Sequence, residues 1–479
     1  MSTAPSILWF RQDLRLSDNP ALAQAARRGD IFPIYILDDD SAGCWRMGGA
    51  SRWWLHQSLA ALDRALAGQL HLFRGSAEEI LGALVDQLGA GGVYWNRCYE
   101  PWRISRDARI KERLQSRGIE VHSSNSALLW EPWEVLKQDG TPYRVFTPYF
   151  RKGCLGRMAP RPPVDGVPLL RCHQGGRMPQ ECTLNDLQLL PQHPWHRQLE
   201  PHWQPGEAGA RSRLNDFLQR GLAGYRQGRD YPAGENISRL SAHLHFGEIS
   251  PQQVWYAARQ AGDGELPGAD LEHFLTELGW REFSYYQLFH EPTLPTRPLR
   301  AEFDRFPWID DGDGLRSWQR GETGYPLVDA GLRELWQTGF MHNRVRMVVG
   351  SFLVKNQLLH WRQGERWFWD CLVDADLASN SASWQWVAGC GADAAPYFRI
   401  FNPVTQGERF DPRGHYVRRF VPELQGLPDR YVHAPWTAPT VVLDQANLRL
   451  GKDYPVPIVD LKSSRQRALD AYQLMRRGG

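Results

Sequence analysis

The segment SILWF at residues 6–10 begins an alternation of apolar runs and helical patterns that decides the fold of the N-terminal part of the chain. Further apolar runs lie at IFPIYIL (31–37), LHLFRG (70–75), GVYWNR (92–97) and EVHSSN (120–125). Helical patterns separate these runs at roughly 18–28, 50–67, 77–89 and 101–118. Such an order of strands and helices predicts a doubly wound parallel sheet in residues 1–135. No GxGxxG follows the first strand, so the usual dinucleotide-binding signature is missing from this sequence.

The rest of the chain changes character twice. Residues 136–209 are polar and irregular and are dense in Pro, Gly and His, which indicates a long interdomain connection. In residues 210–479 the strand pattern disappears, and helical periodicity recurs in segments such as LEHFLTELGWREFSYYQLFH (271–290), NRVRMVVGSFLVKNQLLHW (343–361) and ERWFWDCLVDADLASN (365–380). The predicted fold class is therefore an α/β domain joined by a connection to an all-helical domain.

Composition limits the classes of protein to which the chain can belong. A length of 479 residues predicts two or three domains. No apolar run reaches the length of a membrane span and the N-terminus lacks the features of a signal peptide, so we expect a cytoplasmic protein. The 56 basic and 54 acidic residues nearly cancel, so any contact with nucleic acid must come from a local basic patch.

Cysteine spacing argues against a metal centre. The cysteines are scattered, odd in number and nowhere in CxxC spacing, which argues against a zinc ribbon, a metal cluster or a disulfide framework and predicts reduced thiols. They are Cys44, Cys98, Cys154, Cys172, Cys182, Cys371 and Cys390.

Two motifs of the C-terminal part carry polar groups suited to a ligand. ENISRLSAHLHFGEIS (235–250) places Asn236, Ser238 and Arg239 ahead of a helical run, where backbone N–H groups and a positive charge suit a diphosphate. An ordinary N-cap with a surface arginine is the commoner use of such residues. FLTELGWREF (274–283) places Glu277, Trp280 and Arg281 on one helical face, where they could clamp a flat ligand or form a plain i,i+4 ion pair beside a packed indole.

A third motif, GFMHNRVRMVVGSF (339–352), mixes Asn343, Arg344, Arg346 and Met347 on a predicted helix. Arg346 and the acidic DAD at 374–376 could form a buried ion pair, which is costly unless other groups repay the desolvation. The alternative is that both arginines are solvated and that Met347 fills the core.

Tryptophan is unusually abundant, with 21 in the chain. Trp308, Trp361, Trp384 and Trp386 lie in four segments of the helical part, and two of them occur in ASNSASWQWVAGCG (378–391). Indoles can be oxidised and can pass an electron hole to a neighbour, so this set is compatible with a conduit to a redox cofactor. Aromatic core packing is the alternative for each tryptophan taken alone.

Taken together and in order, the motifs resemble the photolyase/cryptochrome family, and most of all its bacterial cyclobutane pyrimidine dimer photolyases (deoxyribodipyrimidine photolyases). The resemblance rests on LWFRQDLRLSDNPAL, SRLSAHLHFGEIS, WREF, GETGYPLVDAGLREL, MHNRVRM, FLVKN, WRQGERWFW, DADLASNSASWQW and GADAAPYFRIFNPVTQGERFD. It implies an antenna-type α/β domain and a helical domain that holds FAD over a cavity facing DNA. It further implies that reduced FAD, excited by blue or near-ultraviolet light, gives one electron to a pyrimidine dimer, which then splits.

The resemblance also implies a role for individual residues. Those expected around FAD are Tyr225, Ile237, Ser238, Arg239, Leu240, Ser241, Phe274, Arg346, Asp374, Ala375, Asp376 and Asn380. Within this set Asp374 pairs with Arg346, and Asn380 faces flavin N5, where a neutral amide favours repair over the aspartate typical of plant cryptochromes. Two positions depart from the family: Ile237 replaces a hydroxyl residue, and Phe274 stands where tryptophan is frequent.

A second set is expected to contact the damaged DNA. It comprises Glu277, Trp280, Arg281, Asn343, Arg344, Met347, Trp386 and Gln406. Glu277 hydrogen-bonds the base edge, while Trp280 and Trp386 form the aromatic wedge on which extruded bases stack. Trp384, Trp361 and Trp308 form an electron path from the flavin to the surface.

The antenna is the least determined part of the resemblance. The Asn-Glu pair of some folate-binding members is missing, since YEPWRIS (99–105) carries Trp102 and Arg103 there. Methenyltetrahydrofolate is favoured, with a deazaflavin or an empty site as open alternatives. The expected partner is DNA that contains pyrimidine dimers, bound by a monomer without metal, and the alternative function is that of a cryptochrome which signals through protein partners.

Overall fold

Five strands form one parallel sheet in the order β3-β2-β1-β4-β5. They are β1 (Ser6–Phe10), β2 (Ile31–Leu37), β3 (His71–Arg74), β4 (Gly92–Asn96) and β5 (Glu120–Ser124). Each strand lies within the run predicted for it, and the strand order reverses direction beside β1, as in a doubly wound sheet. The predicted fold class is therefore confirmed.

The structure is a computed structural model, and it describes residues 4–157, 159–164, 166, 169–173, 178–262, 268–394, 396–397 and 399–477. The chain divides into two units. The first comprises Met1–Ala223, Ser238–Pro292 and Val373–Asp376, and the second comprises Gly224–Ile237, Thr293–Leu372 and Leu377–Gly479. The boundaries at 135 and 209 that we predict from the sequence stay a prediction.

Helices are numbered along the chain. Those of the first unit are α1 (Pro20–Arg28), α2 (Asp39–Ala42), α3 (Gly49–Ala65), α4 (Ala77–Leu88), α5 (Pro101–Gln115), α6 (Phe146–Pro148), α7 (Glu207–Asp216), α9 (Ser241–His245), α10 (Pro251–Gly262) and α11 (Gly268–His290). Those of the second unit are α8 (Tyr225–Gly228), α12 (Gly312–Arg320), α13 (Pro326–Thr338), α14 (Asn343–Ser351), α15 (Trp361–Cys371), α16 (Leu377–Ala388), α17 (Pro403–Phe410), α18 (His415–Phe420), α19 (Thr440–Gln445) and α20 (Leu461–Arg477).

Local sequence explains why the sheet and its helices form where they do. Strands β1, β2 and β4 are buried along their whole length, as expected for a parallel sheet covered on both faces. Asn19 caps α1 by accepting the Leu22 N–H at 3.1 Å, and Ser76 caps α4 in the same way through Glu79. Gly89, in the left-handed conformation, ends α4.

The long helical pattern predicted for residues 365–380 is interrupted in the structure. Helix α15 ends at Cys371, Leu372 is extended, and α16 begins at Leu377. The side chains of Asp374 and Asp376 accept hydrogen bonds in the intervening segment, so their polar contacts outweigh the helical periodicity. The segment predicted as connection, 136–209, adds single bridges from Cys172 to Ile31 and from Cys182 to Leu72. Its residues 158, 165, 167, 168 and 174–177 lie outside the described residues.

Candidate functional site

In the first unit, the backbone of the turn at residues 238–241 changes hand, and the Leu240 N–H donates to Ser238 Oγ at 3.4 Å. Arg239 has a φ of 51°, in the left-handed region, and Leu240 follows at φ −86°, ψ −5°. Consecutive residues of opposite hand turn successive N–H groups toward one side, which makes an anion-binding nest. The geometry fits the diphosphate predicted for this turn. Helix α9 begins only at Ser241 and Leu240 is its N-cap, so Asn236 and Ser238 are not the capping residues of this helix.

The two aspartates of the DAD segment are anchored by side chains of the same unit. Ser241 Oγ donates to Asp374 Oδ2 at 2.6 Å. Asp376 Oδ2 accepts the Tyr285 hydroxyl and lies 3.1 Å from His245 Nδ1. Burial alone raises the pKa of Asp376, but the hydrogen bond and charge of His245, with the Tyr285 hydroxyl, hold it well below its usual range. Asp376 is therefore a fixed, acceptor-only anion.

Helix α11 places the aromatic and acidic residues predicted from FLTELGWREF. Trp280 stacks on Phe146 with ring centroids 3.7 Å apart and an interplanar angle of 11°. The side chain of Glu277 is 30% exposed, so it is accessible to a ligand. Arg281 Nη1 donates to the Ala127 carbonyl at 2.7 Å and lies 3.3 Å from the Glu282 carboxyl, so these two internal contacts engage one nitrogen of the guanidinium. Its assignment to DNA stays a prediction.

Phe274, on the same helix, is buried and packs against Phe217 with ring centroids 4.7 Å apart. Phe217 also belongs to the first unit. A phenyl ring therefore fills this position by packing against a second phenyl ring, although tryptophan is frequent here in the resembling family. The substitution of phenylalanine for tryptophan therefore keeps an aromatic side chain at position 274.

In the second unit, α14 presents the residues predicted to meet the lesion. Asn343 is exposed, whereas Arg344 and Met347 are half-buried. Arg344 pairs with Asp230 at 2.7 Å and lies 4.5 Å over the ring of Phe410. The helix thus offers an amide, a guanidinium and a thioether in one turn and a half, with the guanidinium already oriented by two neighbours.

Arg346 and Asp374, predicted to pair, belong to different units. Arg346 Nε donates to the Met341 carbonyl at 2.7 Å, which closes the start of α14. Asp374 accepts from Ser241, as described above. The pairing itself stays a prediction.

Asn380 is held by a residue that sequence reasoning did not identify. Its Nδ2 donates to the backbone carbonyl of Glu365 at 3.0 Å, while Ser381 Oγ donates to the Glu365 carboxyl at 2.5 Å. Glu365 is 0% exposed, and burial raises its pKa to about 7. The only signal in the sequence is a glutamate four residues after Trp361 in a helix that is otherwise apolar on that face.

The three tryptophans of the predicted path lie in the second unit, where each makes ring or helix contacts. Trp384 lies against Gly364, where an added Cβ would come 2.1 Å from the indole, and it contacts Phe368 with centroids 5.0 Å apart. Gly364 lies one turn after Trp361 in α15. At the other end, the ring of His360 lies 5.6 Å from Trp361 and 5.1 Å from Trp308. The order of the path stays a prediction, and His360 is a neighbour that the sequence did not reveal.

Four further predicted residues lie in the second unit. Tyr225 is buried at the start of α8, with the Arg229 guanidinium 5.5 Å from its ring centroid. Trp386 and Ile237 are half-buried. Gln406 has a buried Oε1 that accepts no hydrogen bond within the described residues. Their roles toward FAD and DNA stay predictions.

A cleft of the first unit lies at the carboxyl ends of β1 and β2, where doubly wound sheets bind ligands. It is lined by Trp9, Arg11, Tyr35, Asp38, Trp45, Trp102, Arg103 and Arg106, among others. Arg103 lies 4.9 Å over Trp102, and Arg106 lies 4.9 Å over Trp9. Indoles that alternate with guanidinium groups suit a flat anionic ligand.

Within the described residues, no helix is both long and apolar enough to cross a membrane. No group of three or more His, Cys, Asp or Glu there could hold a metal ion.

Comparison with known proteins defines the class. The family DNA photolyase matches residues 6–166, and the family FAD binding domain of DNA photolyase matches residues 274–474. The chain belongs to the DNA photolyase family, which confirms the resemblance seen in its motifs.

Individual relatives are similar over nearly the full length. Deoxyribodipyrimidine photo-lyase of Agrobacterium fabrum is 48% identical over 100% of this chain and 99% of its own. Cryptochrome-2 of Arabidopsis thaliana is 40% identical over 96% of this chain and 77% of its own. The crystal structure of a bacterial class III photolyase from Agrobacterium tumefaciens matches with a TM-score of 0.95 and 47% identity, and it covers 100% of this chain and 98% of that one.

Proposed function

We propose that this protein is a deoxyribodipyrimidine photolyase, which uses light and FAD to split cyclobutane pyrimidine dimers in DNA. The observation that carries the proposal is the arrangement of α11, where Trp280 is stacked on Phe146 and Glu277 remains accessible one turn earlier. A flat base that stacks on the indole can present its polar edge to the carboxylate. The similarity to a relative named deoxyribodipyrimidine photo-lyase supports the same activity.

The residues of the chain fit FAD as cofactor. The backbone nest at 239–240 would hold the diphosphate, and the fixed anion of Asp376 would accept a hydrogen bond from the flavin ring. Asn380, whose amide is oriented by the Glu365 carbonyl, would face the ring without adding negative charge. When bound and reduced, FAD supplies one electron to the dimer under blue or near-ultraviolet light.

The remaining residues would act on the DNA. Glu277 would hydrogen-bond the base edge of the dimer and stabilise the charge that develops there in a pocket poor in water. Trp280 and Trp386 would stack the extruded bases, and extrusion costs less for a dimer because its stacking is already disturbed. Arg344, Arg281 and Gln406 would contact the strand, and Asn343 and Met347 the lesion itself.

A cryptochrome function is the second candidate, although the deoxyribodipyrimidine photo-lyase of Agrobacterium fabrum, at 48% identity, is more similar to this chain than the plant cryptochromes are. Plant cryptochromes are 38–40% identical to this chain, whereas photolyases of Escherichia coli and Alkalihalophilus pseudofirmus are 36–37% identical. Asn380 favours repair, since the resemblance gives plant cryptochromes an aspartate at this position. A cryptochrome would change conformation slowly in light and would leave dimers intact.

The test is direct repair by the reduced holoprotein. We expect irradiation with a dimer-containing oligonucleotide to restore intact thymines, and a dark sample to restore none. Glu277→Gln should lower the yield of repair while FAD content is unchanged, because glutamine keeps the shape and loses the charge. Absence of repair in the irradiated wild type would refute the proposal.

For the antenna, we propose that the cleft beside Trp102 and Arg103 holds a second chromophore, with methenyltetrahydrofolate favoured over a deazaflavin. Its indoles and guanidinium groups suit either flat, anionic molecule. The absorption spectrum of the purified protein decides, because an additional near-ultraviolet or violet band identifies the antenna, and a spectrum with flavin bands alone contradicts the proposal. Cytoplasmic location and the monomeric state stay predictions.

A further inference from the structure

The turn before α15 is built so that it places one imidazole between two of the tryptophans. The Ile309 N–H donates to the Leu358 carbonyl at 2.9 Å, and Ile309 forms a parallel bridge with Leu359. This pairing brings Trp308, the preceding residue, beside His360, the following one. Leu358 is buried with a φ of 58°, a conformation that a leucine adopts only when the surrounding structure imposes it. The position of His360 is therefore fixed from both sides.

The ring of His360 contacts both indoles and also caps the helix. Its centroid lies 5.1 Å from that of Trp308, with the planes at 51°, and 5.6 Å from that of Trp361, with the planes at 30°. Its Nδ1 accepts the backbone N–H of Arg362 at 3.1 Å. An Nδ1 that accepts has no proton, so the ring is a neutral Nε2–H tautomer. Capping and contact with the indoles thus depend on the same uncharged ring.

The charges around His360 reinforce this neutrality. Burial, together with the guanidinium groups of Arg362 and Arg366 on its own helix, lowers its pKa to about 4 against the opposing carboxylate of Asp304. Trp308 and Trp361 carry no charge in their resting state. At neutral pH no net charge therefore lies between the two indoles.

We propose that His360 is a positioning residue for electron transfer between Trp308 and Trp361, acting as a neutral bridge that fills the space between the indoles. In the step concerned, one electron moves from Trp308 to the oxidised Trp361, which leaves Trp361 neutral and Trp308 as a cation radical. No proton moves, and an external thiol then reduces Trp308. The inference deepens the proposed function, because it rests on the predicted path Trp384, Trp361, Trp308.

A matched pair of variants separates bridging from capping. Asparagine keeps a side-chain acceptor at the N-cap but has no ring, whereas phenylalanine keeps a ring but has no acceptor. We expect His360→Asn to retain the urea midpoint of the wild type and to lose most of the long-lived indole radical after a laser flash. We expect His360→Phe to lower the urea midpoint and to retain the radical. Equal radical yields in wild type and His360→Asn, or a loss in both variants that follows their stability, would overturn the proposal.

Acid provides a second, independent readout. A protonated imidazole about 5 Å from both rings would repel the positive charge of a cation radical. At an effective dielectric constant near 20, this repulsion lowers the equilibrium constant for forming the radical by about two orders of magnitude. The yield in the wild type should thus be constant from neutral pH to about 5 and fall as the pH approaches 4, whereas His360→Phe should not respond. Nuclear magnetic resonance of the His360 ring should show the same midpoint. A wild-type yield that falls between pH 7 and 6, or a fall shared by His360→Phe, would contradict the bridge.

The proposed repair function is tested separately. All variants are assayed for repair after chemical reduction of the flavin in the dark, so that the tryptophan path is bypassed. Normal repair with an unchanged radical yield in His360→Asn refutes the bridge alone. Absence of repair in the reduced wild type refutes the photolyase function and leaves the radical measurement independent.

Discussion

Helix α14, which carries the predicted lesion contacts, begins at one uncharged histidine. His342 is 1% exposed, and its Nδ1 accepts the Arg344 N–H at 3.2 Å. Burial, helped by Arg229, Arg344 and Arg346 and opposed by Asp230, lowers the pKa of His342 from 6.5 to about 3. Between these values the unfolded chain binds more protons than the folded one. The stability that neutral His342 contributes is therefore complete above about pH 6.5 and is lost as the pH falls toward 3.

We predict that His342→Asn makes the protein less sensitive to acid. Asparagine can still cap the helix through its side-chain oxygen, but it does not titrate. In the window between the two pKa values, one such histidine changes the free energy of unfolding by up to about 1.4 kcal/mol per pH unit, and over the whole window by about 5 kcal/mol. The wild type should therefore lose stability more steeply than the variant on acidification, whatever their difference at pH 7.

Urea unfolding at a series of pH values between 7 and 4 measures the two slopes. His193→Asn, at an exposed position, is the matched control and should keep the slope of the wild type. Affinity for dimer-containing DNA should be measured at the same pH values. On acidification it should fall at a higher pH in the wild type than in the variant, because α14 carries the predicted DNA contacts Asn343 and Arg344. Parallel stability curves for wild type and His342→Asn would show that His342 is not held neutral by the fold.

Two further predictions concern DNA and light. Arg344→Gln should weaken DNA binding for all sequences and reduce the slope of log affinity against log salt by about 1, because one phosphate contact is lost. Fluorescence anisotropy at several salt concentrations measures this slope. An unchanged slope would contradict the proposed phosphate contact. Trp384→Phe should slow photoreduction of the flavin but leave repair by already reduced enzyme largely intact. A phenyl ring can still pack on Gly364, but it is harder to oxidise than an indole. Equal loss of both activities would show that Trp384 does not serve photoreduction alone.

The N-terminal sheet could be predicted almost to the residue because its information is local. The predicted runs at 6–10 and 31–37 coincide with β1 and β2, since buried parallel strands are uninterrupted apolar segments bounded by caps and turns. Helical periodicity was a weaker guide at 365–380, where hydrogen bonds to Asp374 and Asp376 outweigh it. Local pattern decides an element only where no distant partner competes for its polar groups.

In the candidate site, too, local sequence patterns were informative and contacts between distant residues were not predictable. The motifs indicated which residues carry chemistry, because a diphosphate turn or an indole next to a carboxylate is recognisable along the chain. They did not indicate the roles of His360 and Glu365, which act through neighbours distant in sequence. His360 contacts Trp308 because Ile309 pairs with the Leu358–Leu359 backbone, and no spacing rule expresses that contact. Residues that position others are thus the ones that a single sequence conceals.

The same argument applies to the limits of a folding unit. Composition changes near residues 136 and 209, yet Glu248, which is 0% exposed, accepts the Trp54 indole N–H at 3.0 Å, the Gly206 N–H at 2.7 Å and a bond from His243. These donors come from all three segments that composition separates, and all lie in the first unit. Removal of such a buried carboxylate would leave its donors without acceptors, a loss of about 3–5 kcal/mol. A polar stretch of chain therefore marks where the backbone is irregular, whereas shared buried hydrogen bonds determine which segments must fold together.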